Sequence, residues 1–477
     1  MSFPSDMRAV TPPALKAMIL DGRELALVDL REELVFSQRH LLWARNVPLS
    51  RIELRFADLV PRRSTRIVLC DDNDGLVARA AEILNRAGYT DISYLEGGVA
   101  GWEKAGLEIF SGVNVPSKAF GEHIEHANHT PSISADELDA LINGNTDMIV
   151  VDSRPFTEFQ RVSIPTATNV PGAELALRIH DLAPSPDTLV VVNCAGRTRS
   201  IIGAQSLINA GIPHKVVALK NGTMGWHLAG FTVAKDQDLI APPPTATGLR
   251  KAREAAARVA KRFGVQSINV ATVTQFAREM DKRTLYLFDV RGPDEYLEGH
   301  LHSTVSAPGG QLVQTTDSFA ATRNARICLI DDHGVRATMT ASWLIQMGWK
   351  EVYVVKDALS SGPLLKGPAP LEVLGLTKLR CSEAIAPAVL AQELASGNVT
   401  VIDLDSKPRY REGHVPGAYH AIRANLASSL GRIAPPKLFV VTSADGIVAQ
   451  LARPEEHTSE LQSHHDLVSR LLLEKKK

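Results

Sequence analysis

Four short apolar runs along the chain each end in an aspartate: Leu25-Ala-Leu-Val-Asp29, Met148-Ile-Val-Val-Asp152, Leu285-Tyr-Leu-Phe-Asp289 and Val399-Thr-Val-Ile-Asp403. Such uninterrupted runs read as strands buried on both faces. A second set of apolar runs stops just before Asp71, Cys194, Asp331 and Ser443. The spacing from the first aspartate to these positions is 42 residues in three copies and 40 in the fourth. Eleven residues after each aspartate stand His40, Ser163, His300 and His414. One unit is therefore repeated four times.

Each copy opens with a helix signal, clearest where Ser134 can cap and Glu137 follows three residues later as in a capping box. In the second copy a helix is expected over Ser200–Ala210, closed by Gly211, then a strand Lys215–Leu219 and the element Asn221-Gly222-Thr-Met-Gly-Trp226. Strands alternating with helices predict an α/β fold with mainly parallel sheets, and function at the carboxyl ends of the strands. The division expected is 8–112, 130–236, a linker with a helix at 237–264, 265–372, and a shortened copy at 381–452. Residues about 113–130 read as polar and irregular, and the domains as separate cores packed in a row.

At 477 residues the chain fits three or four units of roughly 150 residues each. A net charge of -1 gives no basic excess for nucleic acid. The first residues lack a basic segment followed by an apolar run, and no stretch of about 18 apolar residues occurs, so no membrane partner is expected and the cytoplasm is the default location. Cys70, Cys194, Cys328 and Cys381 lie far apart without C-x-x-C or metal-ligand spacing, which argues against disulfides and against a metal site.

The motifs Asp29-Leu-Arg31, Asp152-Ser-Arg154, Asp289-Val-Arg291, Glu298-Gly-His300, Glu412-Gly-His-Val-Pro-Gly-Ala418 and Leu95-Glu-Gly-Gly-Val-Ala-Gly-Trp102 together carry a family resemblance. From about residue 8 to 452 the chain resembles a tandem of four rhodanese-like domains, the last one truncated. The resemblance implies repeated domains, each a mainly parallel five-stranded sheet flanked by helices. It also implies a thiosulfate sulfurtransferase activity. The matching cysteine attacks the outer sulfur of a donor such as thiosulfate, releases sulfite, and holds the sulfur as a persulfide for cyanide or a thiol, with a protein acceptor as one form of thiol.

Cys194 occupies that position, followed by Ala195, Gly196, Arg197, Thr198, Arg199 and Ser200. A cysteine between a strand end and a helix start meets converging amides and the positive end of the helix dipole, which favour a thiolate. Arg197 and Arg199 are expected to hold a small anionic donor, Gly196 to allow the tight turn, and Asp152 and Arg154 to brace the loop, with Arg154 facing the anion. No separate cofactor is implied, because the cysteine itself carries the sulfur. Asp71, Asp331 and Ser443 offer no thiol, so the other copies read as inactive, and an aspartate there can accept the loop amides as a bound anion would. Cys70 and Cys328 fall early, inside their strands, and read as core. The second copy has Ser163 where its neighbours have histidine, which disfavours a cysteine–histidine pair.

Two other functions compete. A phosphatase loop, C-x5-R, needs arginine where Ser200 stands, and Arg199 comes one residue early. A non-catalytic scaffold or regulatory sulfur carrier is suggested by the three degenerate copies. The run from Arg453 to Lys477 breaks the repeat and resembles a translated adapter oligonucleotide, so it reads as a non-native tail that leaves the fourth copy with uncovered apolar strand surface.

Overall fold

The computed structural model of the chain describes residues 7–375, 384–433, 438–452 and 467–469. Cys381 and all of the 453–477 segment except Leu467–Ser469 lie outside the described residues. Among the described residues, no helix is long and apolar enough to cross a membrane.

Four sheets follow one another along the chain. In the second, Ser132–Ile133, Val216–Leu219, Leu189–Asn193, Met148–Asp152 and Thr168–Asn169 lie side by side in that order, all parallel. The third has the same order: Gln266–Ile268, Glu351–Val355, Arg326–Ile330, Leu285–Asp289 and Val305–Ser306. Register explains the constant spacing seen in the sequence. Asp29 sits opposite Cys70, Asp152 opposite Asn193, Asp289 opposite Ile330 and Asp403 opposite Thr442. The next residue, Asp71, Cys194, Asp331 or Ser443, is thus the first beyond the strand end in every repeat.

Local signals hold. Ser134 and Glu137 form the capping box, with Oγ and Oε2 accepting the reciprocal amides at 3.1 and 2.7 Å. The helix after Cys194 spans Thr198–Ala210 and ends on Gly211 at φ +66°. Gly211 supplies the left-handed conformation that closes the helix.

The repeats do not stand as separate cores in a row. Val335 and Met339 of the third repeat share one apolar cluster with Val190, Val192 and Leu207 of the second, and with Ala252, Ala255, Ala256 and Val259 of the connecting helix Ala246–Phe263. Leu54 of the first repeat packs with Ile402, Leu404 and Phe439 of the fourth. The first sheet has six strands rather than five, because Thr322–Arg323 from the third repeat pairs antiparallel with Leu25–Asp29 and covers its edge. The Tyr286 hydroxyl secures this join, donating to the Leu59 carbonyl at 2.5 Å and accepting from the Thr322 amide at 3.0 Å. Helix faces that would be exposed on a lone domain are buried against a neighbouring repeat, which removes apolar area from water.

Residues 113–130 are not irregular: Val115–Asn128 is a helix. Ser117, Gly121 and Ile124 are its buried positions, three and four residues apart on one face. It bridges two repeats, packing along Thr198–Ala210 and, through Phe120, edge-on to Trp343 of the third. In the fourth sheet Tyr419–His420, Val399–Asp403 and Leu438–Thr442 are followed by Leu467–Ser469, which pairs in parallel with Phe439–Val441. This strand pairs along the edge of Leu438–Thr442; the rest of the 453–477 segment, on which the expectation of uncovered apolar strand surface bears, lies outside the described residues.

Candidate active site

Cys194 is buried at the end of Leu189–Asn193, with residues 195–197 turning into Thr198–Ala210. The loop is tied down from three sides. Asn193 donates from Nδ2 to Asp152 Oδ2 at 2.7 Å and to Thr223 Oγ1 at 3.0 Å. The Thr223 amide donates to the Cys194 carbonyl at 2.8 Å, and the Met224 amide to that of Ala195 at 3.0 Å. Ser200 Oγ donates to the Arg197 carbonyl at 2.8 Å. Gly222 makes the close approach possible: at φ +55°, a Cβ there would lie 2.3 Å from the Cys194 carbonyl oxygen.

Asp152 and Arg154 connect to the loop through Asn193, one step removed from it. Arg154 donates from Nε to Asp152 Oδ1 at 2.8 Å, from Nη2 to Asp152 Oδ2 at 2.7 Å and from Nη2 to the Val162 carbonyl at 2.7 Å. In the first repeat the equivalent Arg31 has a further bond, from Nη1 to Asp72 at 2.9 Å. Ala195 stands at that position in the second repeat and has no carboxylate to accept it.

The two loop arginines are each engaged by a glutamate. Arg199 donates from Nη1 and Nη2 to Glu158 at 2.9 and 2.7 Å, and from Nη1 to Gln311 of the third repeat at 3.2 Å. Burial alone would raise the Glu158 carboxyl, but the bond and attraction from Arg199 outweigh it and hold the group below its ordinary 4.5. Arg197 donates from Nε and Nη2 to Glu125 Oε2 at 3.2 and 2.5 Å. Glu125, Glu158, Gln311, Asn193, Thr223 and Gly222 shape the site beyond the residues read from the motif. The Asn221-Gly222 element carried a sequence signal, whereas Gln311 belongs to another repeat and left none.

In the other copies the residue at the position of Cys194 accepts amides of its own loop. Asp71 accepts from the amides of Asn73 and Val77 at 2.9 and 3.1 Å, and Asp331 from those of Gly334 and Ala337 at 2.8 and 3.2 Å. Ser443 Oγ accepts from Ala449 at 3.2 Å. Val77, Ala337 and Ala449 each stand six residues after Asp71, Asp331 and Ser443; in the second repeat the residue six after Cys194 is Ser200. The histidines are bound to backbone and stacked: His40 on Phe36, His300 on Tyr296 and His414 on Tyr410, with centroids at 4.1, 3.9 and 3.8 Å.

Cys70 and Cys328 are buried within their sheets; burial pushes the Cys328 thiol up to about 12 and the Cys70 thiol well above its ordinary value. Iodoacetamide applied to the native Cys194→Ser protein near about pH 8 is expected to leave both thiols unmodified until denaturant is added. Peptide mass mapping reads this, and fast labelling of either in the native state would contradict it.

The rhodanese-like domain model matches residues 11–105, 134–229 and 272–361, more than half of the chain. The crystal structure of a thiosulfate sulfurtransferase from Pseudomonas aeruginosa is similar over 97% of this chain and 87% of that one, with 44% identity and a TM-score of 0.91. A thiosulfate sulfurtransferase sequence of Pseudomonas aeruginosa is 26% identical over 239 residues, 42% of this chain and 87% of that protein. The uncharacterized protein YqhL of Bacillus subtilis is 36% identical over 80 residues, 17% of this chain and 62% of its own length. With its repeated parallel sheets and these matches, the chain belongs to the rhodanese-like family and is an enzyme of the rhodanese type.

Proposed function

We propose that the chain is a sulfurtransferase that moves sulfane sulfur from thiosulfate, or a similar small anion, to cyanide or a thiol through a persulfide on Cys194. One observation carries this reading. Of the four residues just beyond the equivalent strand ends, only Cys194 bears a thiol, where two others bear a carboxylate and one a hydroxyl bonded to the amide six residues further on. In this reading the Ser200 amide faces the sulfur, and Ala195, Gly196 and Thr198 form the wall of the loop. Arg154, whose Nη1 has no aspartate at position 195 to engage it, faces the donor's oxyanion with Arg197 and Arg199. The similarity to thiosulfate sulfurtransferases supports the donor class.

The step balances as a nucleophilic displacement. The Cys194 thiolate bonds to the outer sulfur of thiosulfate, the S–S bond of the donor breaks, and sulfite leaves with the electron pair. Cyanide then bonds to the terminal sulfur, the Cys194 S–S bond breaks, and thiocyanate leaves with the thiolate restored. Purified protein supplied with thiosulfate and cyanide is expected to form thiocyanate with saturation kinetics. Absence of product with thiosulfate, organic thiosulfonates and persulfides alike would overturn the reading.

Gly222→Ala probes the loop geometry. Because the new Cβ would press on the Cys194 carbonyl, the sulfur is displaced while the core is kept, and turnover is expected to fall by about 10²-fold. Thiocyanate formation at saturating donor reads the loss; turnover within a factor of about two of wild type would contradict the account of the loop.

A further inference from the structure

Among the described residues, the pairing of Arg197 with Glu125 has no parallel in the other repeats. Arg197 is the third residue after Cys194, where the other repeats have Asp74, Gly334 and Gly446 after Asp71, Asp331 and Ser443. Its side chain is 47% exposed, at the outer side of the loop, and Glu125 sits against the guanidinium with Glu122 at 4.0 Å. Nor is Glu125 on a free strand of linker. Its helix, Val115–Asn128, lies so close to the loop that a Cβ on Gly121 would be 2.7 Å from Thr198 Cγ2. From the other side, Ser117 Oγ donates to the Val313 carbonyl at 2.9 Å, and Phe120 and Ile124 join a cluster with Ile201, Val313 and Trp343. Anchored on two repeats, the helix holds the Glu125 carboxylate directly on the more exposed arginine of the Cys194 loop, with Glu122 further off.

Resting on the sulfurtransferase reading, we propose that Glu125 is a specificity-determining residue that disfavours doubly charged sulfur donors. Its carboxylate cancels the attraction Arg197 would exert on an approaching anion, and the penalty scales with the donor's charge. A singly charged or organic sulfane donor therefore loses less than inorganic thiosulfate does. The effect is modest because the pair is half-exposed and screened by salt.

The test compares thiosulfate with methanethiosulfonate, which presents the same outer sulfur with one charge fewer. For Glu125→Gln the KM for thiosulfate is expected to fall by about three- to tenfold at low salt, the KM for methanethiosulfonate by distinctly less, with kcat unchanged for both. Glu125→Asp, which keeps the charge, is expected to retain the wild-type ratio, and raising the salt to shrink the difference. A KM that is unchanged, that rises, or that shifts equally for the two donors would overturn the proposal. Failure of the underlying reading looks different: wild type would then transfer sulfur from neither donor.

Discussion

Cys194→Ser is expected to abolish thiocyanate formation, lowering turnover by about 10³-fold or more while leaving the fold intact. Serine is close in size and the position is already buried, so the sheet and the helix Thr198–Ala210 keep their packing. What is lost is the chemistry, because a hydroxyl neither ionises near neutrality nor forms a stable bond to sulfane sulfur. No other repeat can compensate: Asp71 and Asp331 hold carboxylates on the equivalent amides, and Cys70 and Cys328 are sealed in their strands. Residual turnover within about tenfold of wild type, with the thermal midpoint unchanged, would show that the sulfur passes elsewhere.

The largest stability effect is expected at Arg336, which is 1% exposed between the second and third repeats. Its Nη1 donates to Glu174 at 2.5 Å and to Glu295 at 2.6 Å, and its Nη2 to Glu295 at 2.9 Å and to Asp332 at 2.7 Å. Arg336→Met leaves three carboxylates facing one another around an apolar side chain. The expected loss is about 2–3 kcal/mol, below the range for a fully buried pair because solvent reaches Glu295 and Asp332. The sign with pH follows from Glu295. Burial would raise its carboxyl, but Arg336 holds it below the ordinary 4.5. A lowered acid stabilises the fold above its unfolded value and loses that contribution as pH falls through the folded value. The gap between wild type and variant is therefore widest at neutral pH and narrows below about pH 4.5. Urea midpoints of both proteins across that range read it, and a gap that widens in acid would contradict the assignment.

What was legible in the sequence was whatever a single repeat encodes. Apolar runs ending in aspartate, the capping box at Ser134 and the glycine closing at Gly211 are short-range patterns, and their physical cause lies within a few residues. Cys194 emerged from the same periodicity, since register puts one residue of each repeat just past a strand end. Contacts between repeats were not legible. Thr322–Arg323 is a two-residue strand whose partner lies about three hundred positions earlier, and no periodicity marks it. The bridging helix Val115–Asn128 has few large apolar residues, because its buried face is built from Ser117, Gly121 and Ile124, a pattern that in sequence alone resembles a polar linker. For the same reason Arg197 and Arg199 read as cations waiting for a substrate, when each already faces a glutamate, Glu125 from the bridging helix and Glu158 from across the site. Ser163, at the position of the stacked histidines, has a buried hydroxyl bonded to no other protein group.

The most direct test of the account is the mass of the Cys194 peptide after the native protein meets thiosulfate without an acceptor. A gain of one sulfur atom on that peptide, removed by cyanide with release of thiocyanate, is the predicted result. An unmodified Cys194 in protein that nevertheless turns over thiosulfate, or added sulfur on Cys70 or Cys328 instead, would contradict it.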